Sequence, residues 1–88
     1  PDEARHRLAE GSSTRLYAPS ETIILEGDHG EELFVVRRGE VAVEVGRNRR
    51  EVARLGSGQF FGEMSLMTGE QRKASVRAVR ETELLVIG

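Results

Sequence analysis

The sequence predicts a mainly β domain, and three observations carry this prediction. From Thr14 onward, short apolar runs are separated by turn residues at intervals of roughly 8–12 residues, which is typical of a sandwich or a jelly-roll barrel. Val41, Val43 and Val45 alternate with Ala42 and Glu44, which is the period of a strand with one buried face. The 88 residues leave room for one hydrophobic core, so residues 1–88 are predicted to form a single domain.

The predicted elements follow the chain in order. Residues 2–10 indicate one short polar helix, which Asp2 can cap and Gly11 can end. Its apolar stripe is too narrow to form a core, so this helix must pack on the rest of the domain. Residues 33–36 are nearly continuously apolar, which predicts a strand covered on both faces. The predicted strands cover residues 15–17, 22–25, 32–38, 41–45, 51–55, 74–79 and 83–87.

Composition and charge exclude several classes of function. The net charge is −2, with 13 basic against 15 acidic residues, so no general attraction for nucleic acid is expected. The chain has no cysteine, which excludes a disulfide scaffold, a thiolate zinc site and a cysteine nucleophile. No apolar stretch approaches the ~18 residues of a membrane span, and no signal-peptide pattern opens the chain. A soluble cytoplasmic domain is expected, with the cytosolic domain of a longer membrane protein as the alternative.

Arginine dominates the basic residues, since Lys73 is the only lysine. This bias has two interpretations, biased codon usage or recognition of anions by the two-pronged guanidinium.

The segment at residues 59–76 interrupts the strand rhythm. Gly62 allows close backbone approach or a dihedral angle closed to other residues, and residues 63–68 favour a helix of little more than one turn. The start of such a helix presents unpaired backbone N–H groups, which attract an anion. Arg72 lies nine positions after Glu63, so its guanidinium can fold back over the same helix start. The spacing therefore suggests a phosphate held from two sides.

Glu63 and Arg72 also permit a simpler interpretation. A carboxylate beside a phosphate is repelled unless it accepts a hydrogen bond from a neighbouring sugar hydroxyl, so a ribose phosphate would suit both residues. Alternatively, Glu63 is an ordinary acid at a helix start, favourable by ~0.3–1 kcal/mol. Arg72 would then form a surface ion pair usually worth under ~1 kcal/mol. Residue types alone leave both interpretations open.

Residues 61–66 (FGEMSL) followed by residues 72–76 (RKASV) resemble the phosphate-binding cassette of the cyclic nucleotide-binding domain family. That family includes protein kinase regulatory subunits, the bacterial catabolite activator protein and cyclic nucleotide-gated channels. The resemblance extends over nearly the whole predicted barrel. Further segments that are similar to the family's turns, in the same order, are residues 16–21 (LYAPSE), 26–28 (EGD), 36–41 (VRRGEV) and 55–58 (LGSG).

The resemblance implies a jelly-roll β-barrel with a short N-terminal helix, a short phosphate-binding helix and cAMP or cGMP as the ligand. Arg72 would bind the exocyclic phosphate oxygens, and Glu63 would accept the ribose 2′-hydroxyl. Ser75 stands where some relatives place a hydroxyl that meets a guanine amino group, and it is also a plausible ordinary strand residue. The backbone N–H groups that would complete the phosphate site, with Met64 packing nearby, are those of Gly62, Ser65 and Ala74.

The sequence departs from the family pattern at three places. Ser20 stands where a turn glycine is common, and Gln71 replaces a proline that often precedes the arginine. The chain also stops at Gly88, whereas family members continue into lid helices that cover the base. Without those helices we expect weaker binding and no signal output, while the phosphate contacts could survive.

The remaining candidates favour binding over catalysis. His6 and His29 are too few and too separated for a metal site, so neither a metal nor a metal-dependent enzyme is expected. No serine has a partnered base, so no nucleophilic catalysis is predicted. The arginine-rich hairpin at residues 47–50 is either a solvated loop or a docking patch for a partner.

The expected function is thus a regulatory module that binds a cyclic nucleotide and serves other domains of a larger sensor, channel or regulator. The alternative is an interaction or oligomerisation module of barrel type with a vestigial pocket. A transcription factor would need a helix-turn-helix segment, which this chain lacks.

Overall fold

The structure, a computed structural model, describes residues 12–62 and 71–88. These residues form a mainly β, antiparallel fold, which confirms the predicted class. The two predicted helices, at residues 2–10 and 63–68, lie outside the described residues. Within the described ranges no helix has the length and apolar character needed to cross a membrane. The strands are β1 (Ser12–Tyr17), β2 (Thr22–Ile24), β3 (Leu33–Arg38), β4 (Glu40–Val45), β5 (Arg50–Gly56), β6 (Phe60–Phe61), β7 (Ser75–Ala78) and β8 (Thr82–Ile87).

The strands make two four-stranded sheets. The first sheet has the order β1-β8-β3-β6, and the second has the order β2-β7-β4-β5. Every pairing is antiparallel, and each sheet joins strands from both ends of the described chain. Residue 82 lies opposite Tyr17, so the last strand is fixed beside the first.

The core lies between the two sheets and consists mainly of aliphatic side chains. Val36, Val41 and Leu84 are fully buried, and each comes from a different strand. Phe34 and Phe61 lie opposite each other on β3 and β6, and their rings stack with centroids 5.0 Å apart. This stacked pair anchors the short strand that precedes Gly62, because aromatic pairs add stability beyond the area they bury.

Two strand predictions needed correction. Phe34 and Val36 of β3 are buried, but Leu33 and Val35 are only half-buried, so the expectation that this strand is covered on both faces was wrong for one face. Strand β6 was not predicted, because two residues are too few to show a period. Its existence depends on pairing with β3.

Candidate functional site

Arg72 is a buried arginine whose side chain lies against Gly62. The residue is only 7% exposed. Its Nη1 donates to the carbonyl oxygen of Gly62 at 3.2 Å, and its Nη2 donates to the carbonyl oxygen of Glu32 at 3.2 Å. The guanidinium carbon lies 5.8 Å from the ring centroid of Phe34, within the range of a cation–π contact. The structure therefore brings together Gly62 and Arg72, two residues that the sequence had singled out.

The backbone of Arg72 is held by the turn that follows β2. The N–H of Arg72 donates to the carbonyl oxygen of Asp28 at 2.7 Å, and the N–H of Gly27 donates to the carbonyl oxygen of Arg72 at 2.8 Å. Hydrogen bonds weaken quickly outside a narrow range of distance and angle, so this reciprocal pair sets the position of the backbone. The main chain and the side chain of Arg72 are thus restrained independently.

Two glycines make room for the guanidinium. Gly62 has a φ of 93°, in the left-handed region that favours glycine. A Cβ at this position would lie 2.8 Å from the carbonyl oxygen of Glu32 and 2.9 Å from Nη1 of Arg72. A Cβ at Gly30 would lie 2.5 Å from Nη2 of Arg72. Any larger residue at either position would have to displace the arginine.

The surroundings of Arg72 favour binding of an anion. Among the residues that the structure describes, no carboxylate forms an ion pair with this guanidinium, and its hydrogen-bond acceptors there are two neutral carbonyl groups. The carboxylate of Glu32 instead contacts Arg15, with Nη2 to Oε2 at 3.0 Å. A guanidinium carries five N–H donors, so its contacts with the described residues leave donors for a further acceptor. An oxyanion would both pair the charge and use those donors.

A cavity of about 110 Å³ lies beside Arg72 and is also lined by Arg15, Asp28, Glu32 and Phe34. Pockets that enclose a whole small molecule usually measure about 300–1,000 Å³, so this cavity has room only for a small group. The cavity formed by the described residues is therefore too small to enclose a whole nucleotide.

The other predicted site residues fall into two groups. Ala74 is half-buried immediately before β7, and Ser75 is only 4% exposed at its start. The Oγ of Ser75 accepts a hydrogen bond from the N–H of Glu26 at 2.9 Å. Ser75 lies opposite Glu44, on the other face of β7 from the core residue Val76. Its contact with a guanine base stays a prediction, and Glu63, Met64 and Ser65 lie outside the described residues.

Sequence reasoning missed the residues that hold Arg72 from the β2–β3 segment. Asp28 and Glu32 act through their carbonyl oxygens, which no side-chain pattern reveals. Phe34 was predicted as a strand residue without a contact to the arginine. Gly30 did carry a signal, because a glycine inside a polar loop can mark a close approach between chain segments.

A cluster of charged side chains, separate from Arg72, occupies the outer face of the second sheet. Glu44 is buried there, and its carboxylate accepts from Nε of Arg49 at 2.9 Å and from Nε of Arg77 at 3.1 Å. Burial acts to raise the pKa of Glu44, but these two hydrogen bonds outweigh it and hold the pKa below its ordinary value. Arg49 of the hairpin is thus built into the fold, whereas Arg47 and Arg50 are exposed.

Two known proteins are similar in sequence to most of this chain. The cyclic AMP receptor protein of Thermus thermophilus is 42% identical over 76 residues, which are 83% of this chain and 35% of that protein. The cAMP-dependent protein kinase regulatory subunit of Colletotrichum orbiculare is 32% identical over 84 residues, 96% of this chain and 22% of that protein. This chain therefore spans about a third and about a fifth of the length of these two relatives.

A solved structure and a family model also match most of this chain. The crystal structure of the Thermus thermophilus catabolite activator protein has a TM-score of 0.81 and 38% identity, covering 99% of this chain and 42% of that one. The family model described as the cyclic nucleotide-binding domain matches residues 14–88. That match includes both Gly62 and Arg72. The chain belongs to the cyclic nucleotide-binding domain family.

Proposed function

We propose that this domain binds cAMP or cGMP and that Arg72 holds the cyclic phosphate. The observation that carries the proposal is a buried guanidinium, restrained by backbone groups of the β2–β3 segment and of Gly62, a glycine with positive φ. The names of the relatives support the choice of ligand, since both curated relatives are named for cAMP.

The charge balance suits a cyclic nucleotide. A cyclic phosphodiester carries a single negative charge, which matches the single positive charge of Arg72. Charge-assisted hydrogen bonds in proteins contribute about 1.5–3 kcal/mol each. Because the guanidinium is buried and held by two carbonyl groups of the protein itself, little ordering remains for the ligand to impose.

The family resemblance completes the proposed site. The carboxylate of Glu63 accepts the ribose 2′-hydroxyl, and Met64 packs beside the ligand. The helix predicted at residues 63–68 would supply the start of the phosphate cradle, within a jelly-roll barrel that the observed strand orders support. The backbone N–H groups assigned to the phosphate are those of Gly62, Ser65 and Ala74. Ser75 is the candidate for a contact with a guanine base.

We assign this module a regulatory role with no reaction catalysed. The curated relatives are a receptor and a kinase regulatory subunit, each much longer than this chain. The module would act in the cytoplasm with other domains of a larger protein. Binding would then shift a conformational equilibrium by the difference in affinity between its two states.

The direct test is thermal unfolding with cAMP, cGMP and the non-cyclic nucleotide 5′-AMP. A ligand present at ~100 times its dissociation constant should stabilise the domain by roughly 2.7 kcal/mol. We expect a clear rise of the melting temperature with a cyclic nucleotide and a smaller one with 5′-AMP. If neither cyclic nucleotide raises it, even at millimolar concentration, the proposal fails and an interaction module is favoured.

A pair of arginine variants assigns the effect to the site. Arg72→Ala should remove the ligand-induced shift, with circular dichroism used to verify that the variant remains folded. Arg80→Ala is the matched control, because Arg80 is exposed and its side chain forms an ion pair with Glu40, with Nη2 to Oε1 at 2.9 Å. Equal ligand-induced shifts in wild type and Arg72→Ala would show that Arg72 does not hold the phosphate.

A further inference from the structure

Glu26 links three segments of the second sheet that are distant in sequence. Its Oε1 accepts a hydrogen bond from the N–H of Gly46, in the hairpin between β4 and β5, at 2.9 Å. Its own N–H donates to the Oγ of Ser75 at the start of β7, at 2.9 Å. Because Ser75 is buried within the sheet, this second bond ties the turn to a rigid part of the fold. The turn after β2 is therefore anchored both to the hairpin and to β7.

The same turn continues directly into the contacts that hold Arg72. The N–H of Gly27 donates to the carbonyl oxygen of Arg72, and the N–H of Arg72 donates to the carbonyl oxygen of Asp28. Successive Cα atoms are about 3.8 Å apart, so a displacement of Glu26 reaches Gly27 within one peptide unit. The hydrogen bonds to Arg72, at 2.7 and 2.8 Å, tolerate little displacement.

We propose that Glu26 is a positioning residue for the anion site, which holds the turn at residues 26–28 so that this turn fixes the backbone of Arg72. The proposal rests on the proposed function, since the site that Glu26 serves is the phosphate site. Glu26 does not touch the ligand in this scheme. It acts through Arg72, and the carboxylate contributes by accepting the N–H of Gly46.

The test compares Glu26→Ala with Glu21→Ala. Glu21 is a matched control, because it is also exposed and its carboxylate also accepts one backbone N–H, from Ala18, at 2.9 Å. Its turn, however, exchanges backbone hydrogen bonds with Ala78 and not with Arg72. If the loss of positioning costs about the net free energy of one hydrogen bond, Glu26→Ala should bind the cyclic nucleotide with roughly fivefold weaker affinity. Glu21→Ala should bind like wild type, and Glu26→Gln, which keeps an acceptor oxygen, should recover most of the affinity.

A thermodynamic cycle with Arg72→Lys separates positioning from general stability. If Glu26 acts through Arg72, then Glu26→Ala should weaken binding much less in the Arg72→Lys background than in wild type. An equal loss in both backgrounds would overturn the proposal. So would equal affinities of Glu26→Ala and Glu21→Ala.

A second measurement does not depend on the ligand. The Nε–H resonance of Arg72 in a ¹H–¹⁵N spectrum of the ligand-free protein should shift in Glu26→Ala and stay unchanged in Glu21→Ala. An unmoved Arg72 resonance in Glu26→Ala refutes the positioning role. Failure of the wild-type protein to bind either cyclic nucleotide would instead refute the proposed function, while this resonance would still decide whether Glu26 positions Arg72.

Discussion

Replacing Gly62 with alanine should damage the anion site, and Gly58→Ala provides a closely matched control. Both glycines have a positive φ, 93° for Gly62 and 89° for Gly58. A Cβ at Gly58 would meet no heavy atom within 4 Å. A Cβ at Gly62 would lie 2.8 Å from the carbonyl oxygen of Glu32 and 2.9 Å from Nη1 of Arg72. The two variants therefore share the backbone strain and differ in the steric clash.

The magnitude follows from these contacts. A left-handed backbone costs a non-glycine residue roughly 1–2 kcal/mol, which is the expected loss for Gly58→Ala. Gly62→Ala must also displace Arg72 from its two carbonyl partners, and hydrogen bonds to a charged group contribute about 1.5–3 kcal/mol each. Because the guanidinium can move and regain part of this, we expect an additional loss of roughly 2–3 kcal/mol. A domain of this size has a free energy of unfolding of about 4–13 kcal/mol. If the wild type lies in the upper part of this range, Gly62→Ala remains folded.

The assay is urea unfolding followed by circular dichroism, with the free energies compared at equal m-values. Calorimetric titration with a cyclic nucleotide then measures binding, which should weaken in Gly62→Ala and stay near the wild-type value in Gly58→Ala. Equal losses of stability and equal affinities in the two variants would refute the reasoning. They would mean that Gly62 is required for its φ alone and that the adjacent guanidinium has space to spare.

Three further substitutions test separate parts of the structure. Ser75→Ala removes the acceptor for the N–H of Glu26, so calorimetry should show the same few-fold loss of affinity for cAMP and for cGMP. A loss of affinity confined to cGMP would instead favour a contact with the guanine base. Ser20→Gly should raise the melting temperature by about 2–6 °C, because Ser20 has a φ of 72° and glycine adopts this conformation without strain. A melting temperature below that of the wild type would contradict this. Glu44→Gln should destabilise the domain by roughly 1–3 kcal/mol at neutral pH, because two arginines lose their carboxylate. Since the folded state lowers the pKa of Glu44, its stabilising effect is present above its ordinary pKa of 4.5 and is lost as the pH falls through the folded value. In urea unfolding, the difference between wild type and Glu44→Gln should therefore shrink in acid, and a constant difference would exclude this ion pair as its source.

Local patterns in the sequence were sufficient to predict most of the strands. The alternation at residues 41–45 became β4, and the turn residues after it became the hairpin, because a strand period and a turn preference depend on neighbouring residues alone. The strand at residues 83–87 was predicted to within one residue for the same reason. The grouping of Gly62 with Arg72 was also predicted, from their spacing and from the family resemblance.

The sequence by itself determined the β class, the order of the strands along the chain and the two residue types best suited to an anion. The tertiary structure decided that the backbone of residues 27, 28 and 32 holds Arg72, that β6 exists, and that the Oγ of Ser75 faces Glu26. These contacts join residues 25 or more positions apart, and several use carbonyl oxygens that every residue possesses. A carbonyl becomes a specific partner only when strand pairing places it within hydrogen-bonding distance, so no local pattern can reveal it.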